Sequence, residues 1–352
     1  MIFHTQDLCP HKPEMPWKTG RNGDMMNLVI LTGPTAVGKT AASVELAKRI
    51  GGEIISADSM QVYKHMDIGT AKIMPEEMQG VRHFLIDEYE PDEEFNIVKF
   101  QAGAKQAIEE ITARGHIPII AGGTGFYIQS VLYDVDFDSA ADAASDNKTD
   151  IDGNEEAKAY RAKLQERAEA GEQAVLHKEL EAVDPVSAEN IHPNNVKRVI
   201  RALEYYYQTG EPISRHNEEQ RNNSSPYNFV YFVLNDDREK LYKRIDARVD
   251  KMFEAGLVDE VRMLRDMGYD RSYVSMQGIG YKEVLDYLDG ICTLEEAVYI
   301  IKRDTRHFAK RQLTWFRRER DVTWVNRQDF GNDEAILDFM INKLHDKGII
   351  EM

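Results

Sequence analysis

The sequence is poor in cysteine and has no long apolar run. Cys9 and Cys292 are the only cysteines among 352 residues. Two cysteines so far apart exclude a disulfide scaffold and a cysteine-based zinc site, and they are typical of a protein of the reducing cytoplasm. No stretch approaches the roughly 18 apolar residues of a membrane span, and the first residues lack the basic and apolar regions of a secretory signal. We therefore expect a cytoplasmic protein without a membrane partner.

The sequence also lacks the basic excess that nucleic-acid-binding proteins usually show. Its 61 acidic residues outnumber 44 lysines and arginines, and the formal net charge is −17. The charge is unevenly distributed, because residues 134–156 contain nine acids and one lysine, whereas residues 302–320 contain eight lysines or arginines and two acids. A local basic surface can bind a polyanion while the rest of the protein stays acidic.

Short apolar runs alternate with helical patterns, and this order predicts an α/β fold with a parallel sheet and helices on both faces. The predicted strands are 28–31, 53–56, 83–86, 117–121, 227–234 and 322–325. Helices are predicted near 40–50 and 96–114, and four helical segments without intervening strands near 157–171, 173–182, 185–190 and 194–208.

These patterns divide the chain into a core of residues 25–137 and 221–352 and a helical insertion of residues 138–220. Residues 1–24 contain three prolines and two glycines and show no apolar period. We expect them to form a poorly ordered tail. The acidic, Ala/Ser-rich segment 134–156 is expected to be a mobile loop.

A phosphate-binding motif follows the first predicted strand and precedes the first predicted helix, which is the context that the pattern GxxxxGK[ST] requires. Its residues are Gly33, Pro34, Thr35, Ala36, Val37, Gly38, Lys39 and Thr40. The glycines allow backbone N–H groups to converge on phosphate oxygens, and the helix N-terminus adds partial positive charge. Lys39 supplies a point charge, and the Thr40 hydroxyl can ligate Mg²⁺. The motif indicates a di- or triphosphate ligand and does not identify the reaction.

Two further turns follow predicted strands, at the edge where parallel sheets bind ligands. Asp58 comes after the second strand, where a carboxylate can ligate Mg²⁺, act as a base or cap the next helix. The glycine-rich turn of residues 122–125 favours close approach of an anion or substrate, or serves only as a tight turn. Residues 66–72 predict another glycine turn with Lys72 as a cationic tip. Arg244 and Arg248 share a helix face, where surface ion pairing with Asp246 and Asp250 is the default interpretation.

Segment 301–318 predicts an amphipathic helix with a basic outer face. At about 100° per residue, that face comprises Arg303, Arg306, His307, Lys310, Thr314 and Arg317. The opposite face comprises Ile301, Phe308, Ala309, Leu313, Trp315 and Phe316. A stripe of one sign favours contact with a phosphate backbone over a merely solvated surface. Lys197, Arg198 and Arg201 form a second, weaker basic patch in the helical insertion.

Taken together, these motifs resemble those of the tRNA dimethylallyltransferases. The resemblance covers most of residues 27–325, in the family's order. Its stretches are GPTAVGKT (33–40), DSMQVYKHMDIGTAK (58–72), AGGTGFYIQ (121–129), DPVSAENIHPNNVKRVIRALE (184–204), RIDARVDKMFEAGLVDEV (244–261), QGIGYKE (277–283) and TRHFAKRQLTWFRR (305–318).

The resemblance implies a P-loop NTPase-like sheet with a helical insertion that grips the tRNA anticodon arm. It implies that dimethylallyl diphosphate occupies the phosphate loop, with Mg²⁺, and that the protein alkylates N6 of the adenosine just 3′ of the anticodon, position 37. We expect the protein to be a monomer. The family's general base falls on Asp58, its hydroxyl near the bridging oxygen on Thr124, and its diphosphate-binding arginine on Arg248.

The resemblance, with the basic helix, also implies a set of tRNA-binding residues. Many family members have arginine at the position of Gln277, and the C-terminal zinc finger of some eukaryotic members is absent. The implied residues are Asp58, Ser59, Met60, Gln61, Lys197, Arg198, Arg201, Gln277, Gly278, Lys282, Arg303, Arg306, Lys310, Arg311 and Arg317.

Three alternatives remain open at this point. A small-molecule kinase that uses ATP explains the phosphate loop equally well but leaves the basic helix unexplained. An adenylate isopentenyltransferase would prenylate free nucleotide and would not need the basic stripe. A tRNA-binding protein with a degenerate loop conflicts with intact Lys39, Thr40, Asp58 and Thr124.

Overall fold

The computed structural model describes residues 25–135, 155–221 and 223–351. The expected tail 1–24 and most of the acidic segment 134–156 lie outside the described residues. Six parallel strands form one sheet in the order β3-β2-β4-β1-β5-β6. The strands are β1 (Met26–Thr32), β2 (Gly52–Ala57), β3 (His83–Phe84), β4 (Ile117–Gly122), β5 (Tyr227–Asn235) and β6 (Val322–Asn326).

Fourteen α-helices lie in the described part of the chain. They are α1 (Lys39–Ile50), α2 (Pro75–Met78), α3 (Ile97–Ala113), α4 (Gly125–Leu132), α5 (Glu155–Glu169), α6 (Gln173–Val183), α7 (Pro185–Asn190), α8 (Val196–Thr209), α9 (Ile213–Arg221), α10 (Arg238–Glu254), α11 (Leu257–Asp266), α12 (Tyr281–Leu288), α13 (Leu294–Phe316) and α14 (Asp333–Asp346).

The sheet is covered on both faces, as its apolar strands require. In β1, Leu28 and Ile30 belong to one apolar cluster, together with residues of α3, α4 and α11. Val29 and Leu31 belong to a second cluster on the other face, with residues of α1 and α14. The predicted α/β class with a parallel sheet and two helical layers is therefore confirmed.

Strand β3 is shorter than predicted, and the turn before it differs as well. Leu85 and Asp87 have φ angles of 60° and 55°, in the left-handed region, so the ladder with β2 ends at Phe84. Lys72 was predicted to be the cationic tip of a turn, and this is wrong. Its side chain is 2% exposed, because its ammonium donates to Tyr63 O at 2.7 Å and pairs with Asp67 and Asp87.

Helices α5–α8, with Ile213 at the start of α9, share an apolar cluster of their own. Its members include Leu164, Leu176, Leu180 and Leu203, each at most 4% exposed. The four helical segments predicted in this region correspond to α5, α6, α7 and α8. Residues 138–154 of the predicted insertion lie outside the described residues. Within the described ranges, no helix is long and apolar enough to cross a membrane.

Candidate active site and nucleic-acid interface

Three loops meet at the carboxyl edge of the sheet, because they follow the neighbouring strands β2, β4 and β1. They are the phosphate loop (residues 33–40), the segment beginning at Asp58, and the turn of residues 122–125. Thr32 Oγ1 donates to Gly122 O at 2.7 Å, and Thr124 N donates to Ala57 O at 3.1 Å. These bonds hold the ends of the three strands together, so that their loops form one site.

The phosphate loop depends on glycine where the backbone is crowded or left-handed. A Cβ on Gly33 would clash with Leu234 O, at the end of β5. Gly38 has φ 98° and directly precedes α1, whose N-terminus carries partial positive charge. The Lys39 ammonium donates to Gly33 O and Pro34 O, both at 2.9 Å. The loop thereby curls around its own lysine.

Lys39, Arg248 and Asp58 form a compact charged group at the site. Burial, and to a smaller extent the positive charge of Arg248, lower the pKa of Lys39 to about 7, although the Asp58 carboxylate opposes both effects. Burial also lowers the pKa of Arg248, and Asp58 again opposes the shift. Arg248 Nη1 donates to Thr35 Oγ1 at 3.4 Å. Two basic side chains therefore face the phosphate loop with one carboxylate beside them.

The default interpretation of Arg244 and Arg248 as surface ion pairs with Asp246 and Asp250 is wrong. Arg244 pairs with Asp236 at 2.6 Å. Asp246 and Asp250 face α13 and pair with Arg306 and with Lys302. Because α13 occupies that side of α10, Arg248 is directed at the phosphate loop.

Asp58 makes the local contact expected of a capping residue and retains a free oxygen. Its Oδ1 accepts a hydrogen bond from Met60 N at 2.9 Å. In the described part of the chain, Oδ2 accepts none. Thr124 precedes α4, and its hydroxyl makes no capping bond to that helix. Both side chains can therefore bind a substrate without breaking the local structure.

A buried carboxylate that the sequence analysis missed holds the turn of residues 66–72. Glu260 accepts hydrogen bonds from the backbone N–H groups of Asp67, Ile68 and Gly69 at 2.7–3.0 Å and from Tyr281 Oη at 2.7 Å. Gln61, which is among the predicted tRNA-binding residues, donates from Nε2 to Ala71 O in the same turn at 3.1 Å. Nothing in the local sequence pairs Glu260 with a turn so distant along the chain.

The inner face of α13 contacts the site through Gln312, whose contact with the phosphate loop the sequence analysis did not predict. Its Oε1 accepts a hydrogen bond from Thr35 N, and its Nε2 donates to Gly123 O, each at 2.9 Å. Gln312 is 7% exposed, although most polar residues on a basic helix face solvent. The sequence signal that could have identified it is its spacing from Ala309 and Phe316, which places all three residues on the same face of the helix.

The outer face of α13 carries exposed cations and a shallow groove. Lys310, Arg311 and Arg317 are exposed. The groove has a volume of about 400 Å³ and is lined by His307, Lys310, Arg311, Thr314, Trp315 and Arg318. Such a surface suits a phosphate backbone with a base stacked on an aromatic ring.

The structure places Phe308 on a different side of α13 from the one predicted. Phe308, predicted to face inward, is 37% exposed, because the buried stripe is narrow and runs through Ile301, Ala309, Gln312 and Phe316. The Arg311 guanidinium lies 5.7 Å from the centre of the Phe308 ring.

Arg303 and Arg306 already have carboxylate partners within the protein. Arg303 donates to Asp304 at 2.8 Å, and Arg306 pairs with Asp246. The exposed basic side chains without such carboxylate partners in the described part of the chain therefore lie toward the C-terminal end of α13.

The remaining predicted tRNA-binding residues fall into two groups. Lys197 and Arg198 are exposed on α8, and Arg201 is half-buried there. Ser59, Met60 and Gly278 lie close together, since a Cβ on Gly278 would meet the Met60 methyl group. Gln277 Nε2 donates to Arg271 O, and Lys282 pairs with Glu283 at 3.5 Å.

Family membership is decided by comparison with family models and curated relatives. The model of the family described as IPP transferase matches residues 61–319, well over half of the chain. The tRNA dimethylallyltransferase of Lachnoclostridium phytofermentans is 62% identical over 327 residues, covering 93% of this chain and 100% of the relative. The chain belongs to the IPP transferase family. The family predicted from the motifs is thereby confirmed.

Further members agree in sequence and in structure. The tRNA dimethylallyltransferase of Acetivibrio thermocellus is 51% identical, covering 89% of this chain and 96% of its own. A tRNA isopentenylpyrophosphate transferase from Bacillus halodurans superposes with a TM-score of 0.65 at 46% identity, covering 92% of this chain and 98% of its own. A eukaryotic dimethylallyltransferase, described as acting on tRNA, superposes with a TM-score of 0.75 at 29% identity, covering 92% of this chain and 79% of its own.

The lowered pKa of Lys39 predicts proton uptake when a diphosphate binds. At pH 8 the free amine is mostly neutral, because its pKa is about 7. A bound anion stabilises the ammonium, so titration with Mg²⁺ and inorganic pyrophosphate should take up about one proton more than in Lys39→Arg, whose guanidinium stays charged. Calorimetry in buffers of different ionisation enthalpy measures this difference. Equal proton uptake in both proteins would contradict the binding of the diphosphate by a Lys39 with a lowered pKa.

Proposed function

We propose that this protein transfers the dimethylallyl group of dimethylallyl diphosphate to N6 of adenosine 37 in tRNA, releasing diphosphate. The observation that carries the proposal is the meeting of two surfaces at one sheet edge. The phosphate loop with Lys39 and Arg248 lies on the inner side of α13, and the exposed cations of that helix lie on its outer side. The relatives named tRNA dimethylallyltransferase support this assignment.

The diphosphate is proposed to bind in the phosphate loop. Its negative charge is matched by the loop amides, the α1 N-terminus, Lys39 and Arg248, and the Thr124 hydroxyl is proposed to approach the bridging oxygen. As the C–O bond to the dimethylallyl carbon breaks, the departing diphosphate gains charge. Fixed cations and dipoles stabilise that charge without reorganising.

Mg²⁺ is proposed to bind with the diphosphate. This ion prefers oxygen ligands and is usually held by one or two protein oxygens together with phosphates and water. The Thr40 hydroxyl, exposed in the first turn of α1, supplies one such oxygen. When bound, the ion would neutralise part of the charge on the leaving diphosphate.

Asp58 is proposed to act as the general base. The exocyclic amine of adenine is a weak nucleophile, because its lone pair is delocalised into the ring. As N6 forms its bond to the dimethylallyl carbon it must lose a proton, and Asp58 Oδ2 is available to accept it. The hydrogen bond from Met60 N to Oδ1 fixes the orientation of the carboxylate.

The anticodon stem-loop is proposed to bind across α13 and the helical unit α5–α9. Lys310 and Arg311 on α13, Arg317 directly after that helix, and Lys197 and Arg198 on α8 are exposed and suited to contact phosphates. The target adenine must leave its stack to reach Asp58, which costs a few kcal/mol that the phosphate contacts offset. Each proposed catalytic group comes from one chain, so we propose that the protein acts as a monomer.

The acceptor is tested by transfer of label. We would incubate the protein and Mg²⁺ with radiolabelled dimethylallyl diphosphate and either an adenine-rich anticodon stem-loop or AMP. We expect label in the RNA and none in AMP, because only the RNA uses the basic face of α13. Label in AMP alone would identify a free-nucleotide enzyme and overturn the proposal.

Asp58→Asn should separate catalysis from binding. Its amide oxygen still accepts from Met60 N–H, but it is no longer a base. We expect the single-turnover rate to fall by about 10²–10⁴-fold, with RNA affinity reduced far less than the rate. Asp58→Ala, which loses both functions, serves as the comparison. A wild-type rate in Asp58→Asn would show that another group removes the proton.

A further inference from the structure

Gln312 uses both ends of its amide to join two loops that belong to different strands. The acceptor end meets Thr35 N in the phosphate loop, and the donor end meets Gly123 O in the turn after β4, both at 2.9 Å. The contact leaves no space for a side chain on Gly123, because a Cβ there would clash with Gln312 Nε2. With 7% of its surface exposed, the side chain is held on both sides.

Glutamine is well matched to this position. One partner is a donor and the other an acceptor, so a carboxylate would repel Gly123 O and an aliphatic side chain would satisfy neither group. A buried N–H left without an acceptor carries a desolvation cost. The amide therefore fixes the distance between the loop that carries Lys39 and the turn that carries Thr124.

Trp315 adds a second contact between α13 and the same turn. Its ring occupies the space where a Cβ on Gly125 would lie, and it packs edge-on against Phe126 with ring centres 6.0 Å apart. Trp315 also lines the groove on the outer face. One 23-residue helix thus carries exposed cations on one side and grips both loops on the other.

On the basis of the proposed function, we propose that Gln312 is a positioning residue that couples RNA binding on α13 to diphosphate binding in the phosphate loop. Both ends of its amide are occupied by protein backbone groups. When RNA is bound to the outer face, α13 is held in place, and Gln312 then holds the Thr35 turn in the geometry that receives the diphosphate. Coupling of this kind is reciprocal, since each ligand raises the affinity of the other by the same factor.

The test uses the full-length protein, Mg²⁺ and inorganic pyrophosphate, titrated by calorimetry with and without an adenine-rich anticodon stem-loop. In the wild type we expect RNA to raise pyrophosphate affinity by about fivefold or more. In Gln312→Leu, pyrophosphate affinity without RNA should fall about tenfold, the size of one lost buried hydrogen bond. The effect of RNA on that affinity should disappear, while RNA affinity itself is retained.

Gln101→Leu is the matched control. Gln101 is also a buried glutamine that bridges two backbone carbonyls, Ser130 O and Val135 O, at 2.8 Å. We expect it to keep wild-type pyrophosphate affinity and coupling even if its melting temperature falls. Retained RNA binding by Gln312→Leu shows that α13 is folded.

The proposal is overturned if Gln312→Leu behaves like the wild type, if Gln101→Leu loses coupling equally, or if the wild type shows no coupling. These outcomes are distinguishable from failure of the proposed function. If the proposed function is wrong, the wild type transfers no label to RNA. The titration with pyrophosphate alone would still report whether Gln312 holds the phosphate loop.

Discussion

The close approach of backbones at the carboxyl edge of the sheet is the constraint on which the rest of the site depends. Side chains on Gly33 and Gly122 would clash with Leu234 O and Ala57 O, the backbone oxygens at the ends of neighbouring strands. The phosphate loop and the turn after β4 can lie side by side only because glycine at these two positions has no side chain. Lys39, Thr124 and Asp58 then reach a common space.

Helix α13 carries the surface proposed to bind nucleic acid, and its inner side contacts the phosphate loop. Its buried stripe is narrow, so cations and Phe308 occupy the rest of the circumference. The overall charge of −17 is compatible with RNA binding because residues 302–320 contain eight lysines or arginines and only two acids. Arg306 and Lys302 pair with Asp246 and Asp250 of α10, which anchors α13, whereas Lys310, Arg311 and Arg317 are exposed.

Local patterns predicted the features that depend on neighbouring residues, namely the six strands, most of the helices, the phosphate loop and the family. The errors concern partners distant in sequence. Lys72 was predicted to be exposed, but it is buried and pairs with Asp67 and Asp87. Arg248 was predicted to form surface ion pairs, but its expected partners Asp246 and Asp250 pair with residues of α13. Gln312 and Glu260 act through contacts 277 and 191 residues away, which no local period reports.

The most direct test of the central claim, that the phosphate loop binds a prenyl diphosphate and not ATP, compares the two ligands on the wild type and Lys39→Ala with Mg²⁺. Calorimetry gives the affinities, and a coupled assay gives ATP consumption. We predict that dimethylallyl diphosphate binds the wild type, and that its affinity for Lys39→Ala is at least about tenfold lower because a charge-assisted contact is lost. ATP should not be consumed. ATP consumption without binding of dimethylallyl diphosphate would contradict the account.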